Sequence, residues 1–366
     1  MSLHPYRGLP DYCFFRSVAQ SDHRDLEWMP APKFRIRPQD RIVTAGSCFA
    51  RNLAARLAAT GLNHYIAEPA PWFFEPEEAA VDGYGEYSCR YGNVYTVRQL
   101  RELVEQAFGL RAPILDLACD GGTWFDLLRP GISSSGFESE RHAIRDREWH
   151  LSRVKLALET AEVFVFTLGL TEAWIHARSG HVYPSCPGTA RGTWDPELHV
   201  FKNFSHAEVL EDLDWVCRFL AKVNARIRIL LTVSPVALVA SHNPVANVIA
   251  SSTYSKSVLR SAAGEIAMSL PAVDYFPSYE MIAAPQSFGQ FLADDLRDAA
   301  SRGVDFVMEV FGRTLLETAG APNGEFATRR AEPQPAASPE SLDRKIAEAA
   351  QRDCEELFND TQKTRT

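Results

Sequence analysis

Arg41-Ile42-Val43-Thr44-Ala45-Gly46-Ser47-Cys48-Phe49-Ala50 is the stretch on which the reading of the fold turns. Its first half is a short β-type run that stops at Gly46. Beyond it, Leu53 and Leu57 fall four apart and Gly61 ends the pattern, which predicts a helix from Cys48 to about Thr60. A strand that turns at a glycine directly into a helix is a building unit of an α/β domain. It also sets Ser47 at the helix N-terminus, where unsatisfied N–H groups and the helix dipole favour negative charge. A nucleophilic hydroxyl needs such a place, because attack on an ester creates an oxyanion beside it. The simpler role for a serine there is an N-cap.

Outward from this unit, strands and helices alternate. Further strands are expected at 63–67, 162–168, 227–233 and 272–276, and helices at 97–108, 139–161, 205–224, 251–270, 287–293 and 301–318. Ser205 with Glu208 three residues on is a capping-box pattern. The alternation predicts a three-layer α/β/α domain with a mainly parallel sheet. Four strands run into small or polar residues, at Gly46-Ser47, Gly169-Leu170-Thr171-Glu172, Ser234-Pro235 and Pro277-Ser278-Tyr279-Glu280. In open α/β sheets, ligands bind beyond such strand ends.

The domain spans 40–318. Residues 1–39 read as an irregular extension, 68–96 and 109–138 as loops, and 177–204 as a long excursion with a functional reason behind it. From 319 to 366 the chain is rich in Ala, Pro and Glu, a linker and tail that is disordered or forms one helix over Leu342–Leu357.

Composition narrows the function. The chain has 366 residues, 46% of them hydrophobic, and a formal net charge of -9, so a core is available and a basic nucleic-acid surface is not expected. Its seven cysteines show no C-x-x-C pair, which argues against a zinc ribbon or a disulfide framework and for a reducing compartment. The N-terminus has no apolar signal region and no apolar run reaches bilayer length; a cytoplasmic location without membrane insertion follows. No Walker A, G-x-G-x-x-G or H-E-x-x-H pattern occurs, so neither a nucleotide, another cofactor nor a metal is expected.

Gly46-Ser47-Cys48-Phe49-Ala50 is also the name-giving motif of the GSCFA family, which the chain resembles well beyond those five residues. Arg90-Tyr-Gly-Asn-Val-Tyr-Thr96, Phe164–Trp174, Thr232-Val-Ser-Pro-Val236, Thr253-Tyr-Ser-Lys-Ser-Val-Leu259 and Tyr275–Glu280 look like successive blocks of that family, across roughly 35–315. The family is similar to SGNH/GDSL hydrolases. The resemblance implies Ser47 as nucleophile, Gly92 with Asn93 beside it in the oxyanion hole, and Thr171 with Glu172 where the third block has Asn and Asp. A base should come from an Asp-x-x-His near the end of the domain. Here Asp295-Leu-Arg-Asp298 stands instead, and no histidine follows His242.

A serine nucleophile at neutral pH needs a base. His181 and His199, in the 177–204 excursion, are the histidine candidates; Asp295, Asp298 and Glu172 are the carboxylate ones. Each also has a plainer reading as an exposed histidine, cap or ion pair. Cys48 gains reactivity from a helix N-terminus or packs as a small apolar residue. Tyr279 and its aromatic neighbours line a site wall or pack at a turn. Two functions stand at this point. One is an esterase or O-acyltransferase acting through Ser47 on a small-molecule or glycan acyl ester. The alternative is a non-catalytic carbohydrate- or acyl-binding protein that keeps the fold without a complete triad. Oligomeric state is not readable.

Overall fold

Val163-Phe164-Val165-Phe166-Thr167-Leu168 is apolar at almost every position, the mark of a strand covered on both faces. A computed structural model, describing residues 4–133 and 135–317, places it at the centre of the sheet. In chain order the first half holds α1 (Phe15–Gln20), β1 (Ile42–Gly46), α2 (Cys48–Ala59), α3 (Pro76–Val81), α4 (Val97–Ala107), β2 (Leu117–Asp120), β3 (Thr123–Asp126) and α5 (Glu140–Thr160). The second holds β4 (Val163–Leu168), β5 (Glu172–His176), β6 (Val182–Tyr183), β7 (His199–Asn203), α6 (His206–Val223), β8 (Arg228–Val233), α7 (Val248–Ser269), β9 (Val273–Tyr275), α8 (Ser278–Ala283) and α9 (Ser301–Leu315).

The central sheet has the order β1-β4-β8-β9, all parallel, with Gly46 opposite Thr167 and Thr167 opposite Thr232. Alternating strand residues enter two cores. Val43, Ala45, Phe164, Phe166, Ile229 and Leu231 pack with α4, α5, α6 and α7. Ile42, Val163, Val165 and Leu230 pack with α2, α8 and α9. Helix α2 reaches the second core through Phe49, Leu53 and Leu57, spaced four apart on one face. The expected three-layer α/β/α architecture is therefore the observed one.

Several elements differ from expectation. The strand expected at 63–67 is a single bridge, Ile42 to His64. The chain then leaves the sheet edge, and the Ala67 and Glu68 N–H groups both turn to the Ser88 carbonyl. The cause is Glu68, fully buried, whose carboxylate takes the Arg90 N–H at 2.7 Å and the His150 ring at 2.8 Å. The same network fixes the expected loop 68–96, since Arg90 also donates to Asp146 at 2.8 Å and Ser133 at 2.7 Å. Loop 109–138 contains the β2–β3 hairpin, and the excursion 177–204 supplies β6 and β7, which pair antiparallel on either side of β5. No helix forms over 287–293. Phe288 and Gly289 adopt left-handed backbone at φ 49° and 71°, which stops helical propagation, and Phe291 stacks on Phe306 instead.

The N-terminal segment belongs to the domain's packing. Met29 and Ile36 are in the second core, the buried His23 ring meets the Met281 carbonyl at 2.7 Å, and Ile36 forms a bridge with Leu316 just past α9. The tail expected at 319–366 lies outside the described residues. Among the described residues no helix is long and apolar enough to cross a membrane.

Two packing features yield predictions. Gly46 has φ +144°, and a Cβ there would lie 2.4 Å from the Thr167 carbonyl oxygen and 2.8 Å from its Cβ. Backbone cannot yield as a side-chain tip does, so Gly46→Ala should cost about 3 kcal/mol in urea unfolding. At the sheet's other end, Arg41 grips Glu162 with its backbone N–H at 2.8 Å, Nε at 3.0 Å and Nη2 at 2.8 Å. The hydrogen-bonded Arg41 side chain, foremost, holds the Glu162 carboxyl down to about 2 from an ordinary 4.5. A depressed carboxyl stabilises the fold above its ordinary value and loses that contribution as pH falls toward the folded one. Glu162→Gln should therefore flatten the fall of the urea midpoint between about pH 4.5 and 2.

Candidate functional site

The strand end that opens the domain also builds its cavity. With Gly46 pressed against Thr167, β1 turns sharply and Ser47 takes the N-cap position of α2 with extended backbone (φ −78°, ψ −178°). Its carbonyl accepts the Ala50 N–H at 2.8 Å, but its side chain caps nothing. Ser47 is only 3% exposed, and Oγ has no hydrogen-bond partner among the described residues. A serine at an N-cap normally spends its hydroxyl on the N2 or N3 amide. Here the hydroxyl is withheld from that role.

Ser47 and Cys48 line a cavity of about 440 Å³. Gly169, Leu170 and Glu172 reach it from the turn after β4, and Ser234 and Val236 from the segment after β8. The site thus lies beyond the carboxyl ends of β1, β4 and β8, where the sheet's geometry puts ligands. One wall is apolar, built by Trp174, Phe201, Leu238 and Val239. Polar groups are interspersed: Ser185, Thr189, Ser241, His242 and Arg297.

Around the strand ends several buried polar atoms lack hydrogen-bond partners among the described residues. Besides Ser47 Oγ they include the hydroxyls of Thr167 and Thr171, both fully buried. Buried polar atoms are normally satisfied, so unsatisfied ones gathered in one place mark a site held ready for something else.

Lys256 stands behind this cluster. It projects from α7 into the interior, 3% exposed, and Nζ donates to the Gly169 carbonyl at 2.7 Å. Gly169 touches Ser47 with its other side: a Cβ added to it would sit 3.0 Å from Ser47 Cβ. One glycine thus separates the amine from the hydroxyl. Burial, above all, pushes the Lys256 ammonium down to about 7 from an ordinary 10.5; the positive charge of Arg297 adds to this and Cys48 opposes it.

The structure distributes the sequence candidates unevenly. Glu172 lines the cavity; burial raises its carboxyl above the ordinary value, against the Ser241 hydroxyl at 2.8 Å and the His242 backbone N–H. Thr171 lies one layer in, its N–H bonded to Ser255 Oγ at 2.9 Å. Asn93 flanks Ser47 indirectly: the Tyr87 hydroxyl lies 2.7 Å from Asn93 Oδ1 and 3.1 Å from the Ser47 carbonyl oxygen. Gly92, at φ +64°, directly precedes it and is not part of the cavity lining. The Ser47 N–H points at the Thr167 carbonyl, 3.3 Å away.

His181 and His199 sit elsewhere, against Tyr183 on the small sheet. His181 Nε2 faces Asp116 at 3.3 Å, and His199 Nδ1 accepts the Asp195 N–H at 2.9 Å. Asp295 is exposed and accepts the N–H groups of Arg297 and Asp298, both at 3.0 Å, which makes it the pin of a tight hairpin. Asp298 pairs with Arg297. Tyr279 packs against the first core outside the cavity, and its phenol is raised by burial and by Glu280.

Three cavity-region groups escaped the sequence reading: Lys256, Arg297 and His242. Lys256 lies within Thr253–Leu259, and its signal is positional. Ser252, Lys256, Leu259 and Ala263 recur at helical spacing on the buried face of α7, where a lysine has no ordinary business. Arg297 comes from the segment where an Asp-x-x-His was sought, so that hairpin does serve the site, with a guanidinium. His242 lines the cavity, its ring 5.1 Å from Trp174 and 5.3 Å from Phe201.

Compared with curated proteins, the chain matches none. The model of the GSCFA family matches residues 41–311, from β1 through most of α9 and across every element that lines the cavity. The chain belongs to the GSCFA family.

Proposed function

We propose that this protein is an esterase or O-acyltransferase in which Ser47 Oγ attacks the carbonyl carbon of an acyl ester. The observation that carries the reading is the hydroxyl itself: at a helix N-terminus, on a cavity wall, uncapped and without a partner among the described residues. Attack forms a tetrahedral oxyanion, the alcohol leaves, and an acyl-Ser47 remains for water or an acceptor hydroxyl to resolve. The N-terminal turn of α2 and the Arg297 guanidinium supply positive potential for the oxyanion. The pair of donors expected from the resemblance, the Ser47 and Gly92 N–H groups, fits less well, because one faces Thr167 and the other lies off the cavity.

The apolar wall of Trp174, Phe201 and Leu238 suits the acyl chain. Ser185, Thr189, Ser241 and His242 suit an alcohol half rich in hydroxyls, which favours a carbohydrate ester. A second reading rests on the near-closure of Ser47, at 3% exposed: a pocket that binds such molecules without turnover.

A fluorophosphonate probe separates the two. Wild type should form an adduct mapped to Ser47 by peptide mass spectrometry, and Ser47→Ala should lose it. Hydrolysis of p-nitrophenyl acetate should fall at least about 10²-fold in the same variant. Equal hydrolysis by both proteins, with no adduct at Ser47, leaves only the binding reading standing.

Cys48 provides an independent probe of the cavity. Among the described residues the cysteines are exposed at 13 and 119, half-buried at 48 and 186, and buried at 89 and 217. Iodoacetamide should modify them in that order, since access and ionisation both fall with burial. Alkylation of Cys48 should block the probe at Ser47, because the two share the cavity.

A further inference from the structure

Lys256 is costly where it is. A buried ammonium with no carboxylate to pair with is expensive, and among the described residues Nζ has one hydrogen-bond acceptor, the Gly169 carbonyl. A methionine or leucine would fill the volume on α7 without that cost. The titratable groups that face the amine are Cys48 from α2 and Arg297 from the 292–299 hairpin. Arg297 opposes the charge, and the Cys48 thiol favours it by less than burial disfavours it. The amine is therefore kept close to neutral, and a neutral amine has a lone pair.

On the other side of Gly169 sits a hydroxyl that needs a proton acceptor. Ser47 Oγ has no partner among the described residues. The histidines proposed from sequence, His181 and His199, are engaged on the small sheet. The segment that should supply a histidine supplies Arg297 instead.

Resting on the reading of Ser47 as nucleophile, we infer that Lys256 is its general base: the neutral amine takes the Ser47 hydroxyl proton and later returns it to the leaving alkoxide. As the Ser47 O–H bond breaks, a new N–H bond forms on Nζ and an Oγ–C bond forms to the ester carbonyl. The carbonyl π pair moves onto its oxygen. When the intermediate collapses, the ester C–O bond breaks and the ammonium proton passes to the departing oxygen. The incoming water or acceptor hydroxyl gives its proton to Nζ in the second half, and Ser47 takes it back on release. The free structure keeps the two groups beyond hydrogen-bond contact, and such contacts commonly tighten only with substrate bound. Arg297 contributes twice, by opposing the protonated amine and by attracting the oxyanion.

The test is the pH dependence of fluorophosphonate labelling at Ser47, on the full chain. Wild-type rates should rise through pH of about 7 and then level, because the neutral amine is the active form and predominates above that value. Lys256→Met and Lys256→Arg should each label at least about 10²-fold more slowly, with the plateau gone. The melting temperature of Lys256→Met should stand at or above that of wild type, which a purely structural role for Lys256 does not predict. Where Lys256→Met fails to fold, His242→Gln decides: a profile still centred near 7 supports the lysine, and one that loses its inflection assigns the base to His242 and overturns the inference. Labelling of both Lys256 variants at the wild-type rate also overturns it and leaves Ser47 standing as nucleophile. No adduct on wild type removes the nucleophile and the base together.

Discussion

The site depends on the absence of one carbon atom. Strand β1 has to run so close to β4 that Gly46 meets the Thr167 backbone, at a φ that only glycine adopts at ease. That approach turns the chain within a single residue and aims Ser47 away from its own helix. A wider turn would return the hydroxyl to the α2 amides as an ordinary cap. The same economy recurs at Gly169, which lies against Ser47 and Tyr95 on one side and offers its carbonyl to Lys256 on the other. Two glycines at the ends of neighbouring parallel strands thereby set how near a hydroxyl, a thiol and an amine can come.

Much of this architecture was legible in residue order. Largely apolar runs at 163–168 and 227–233 announce strands covered on both faces, and the four-residue spacing of Leu53 and Leu57 announces a helix seated on them. Periodicity is a local property and survives whatever the rest of the chain does. What it missed was decided by distant partners. The run 63–67 looks like a strand, yet a buried carboxylate at Glu68 draws it toward Arg90 and His150, far along the chain. Strands β6 and β7 exist because β5 offers them edges, a fact that no reading of 177–204 alone contains.

The site divides the same way. Ser47 was visible because its place follows from its neighbours in sequence, and Glu172 because it trails a strand end. Lys256 comes from α7 and His242 from the segment before it, and only the folded chain brings them to one cavity region. The histidines that the sequence offers as a base, His181 and His199, are engaged on the small sheet. The more telling sign was a residue out of place on an otherwise sealed helix face. Buried charge is tolerated at a cost, and a lysine that bears it without an ion pair is a candidate for chemistry.

The bridge between Ile36 and Leu316 ties positions almost three hundred residues apart, and Met29 and His23 are seated by the same wrap. Such a contact is slow to find by diffusion because of its sequence separation. On the ribosome the early segment must wait, its apolar side chains uncovered, until α9 has been synthesised. The nascent chain thus exposes a greasy strap for as long as the intervening residues take to emerge. Final assembly is a clasp that closes last, and trimming either end of it would leave the layer beneath α9 open to water.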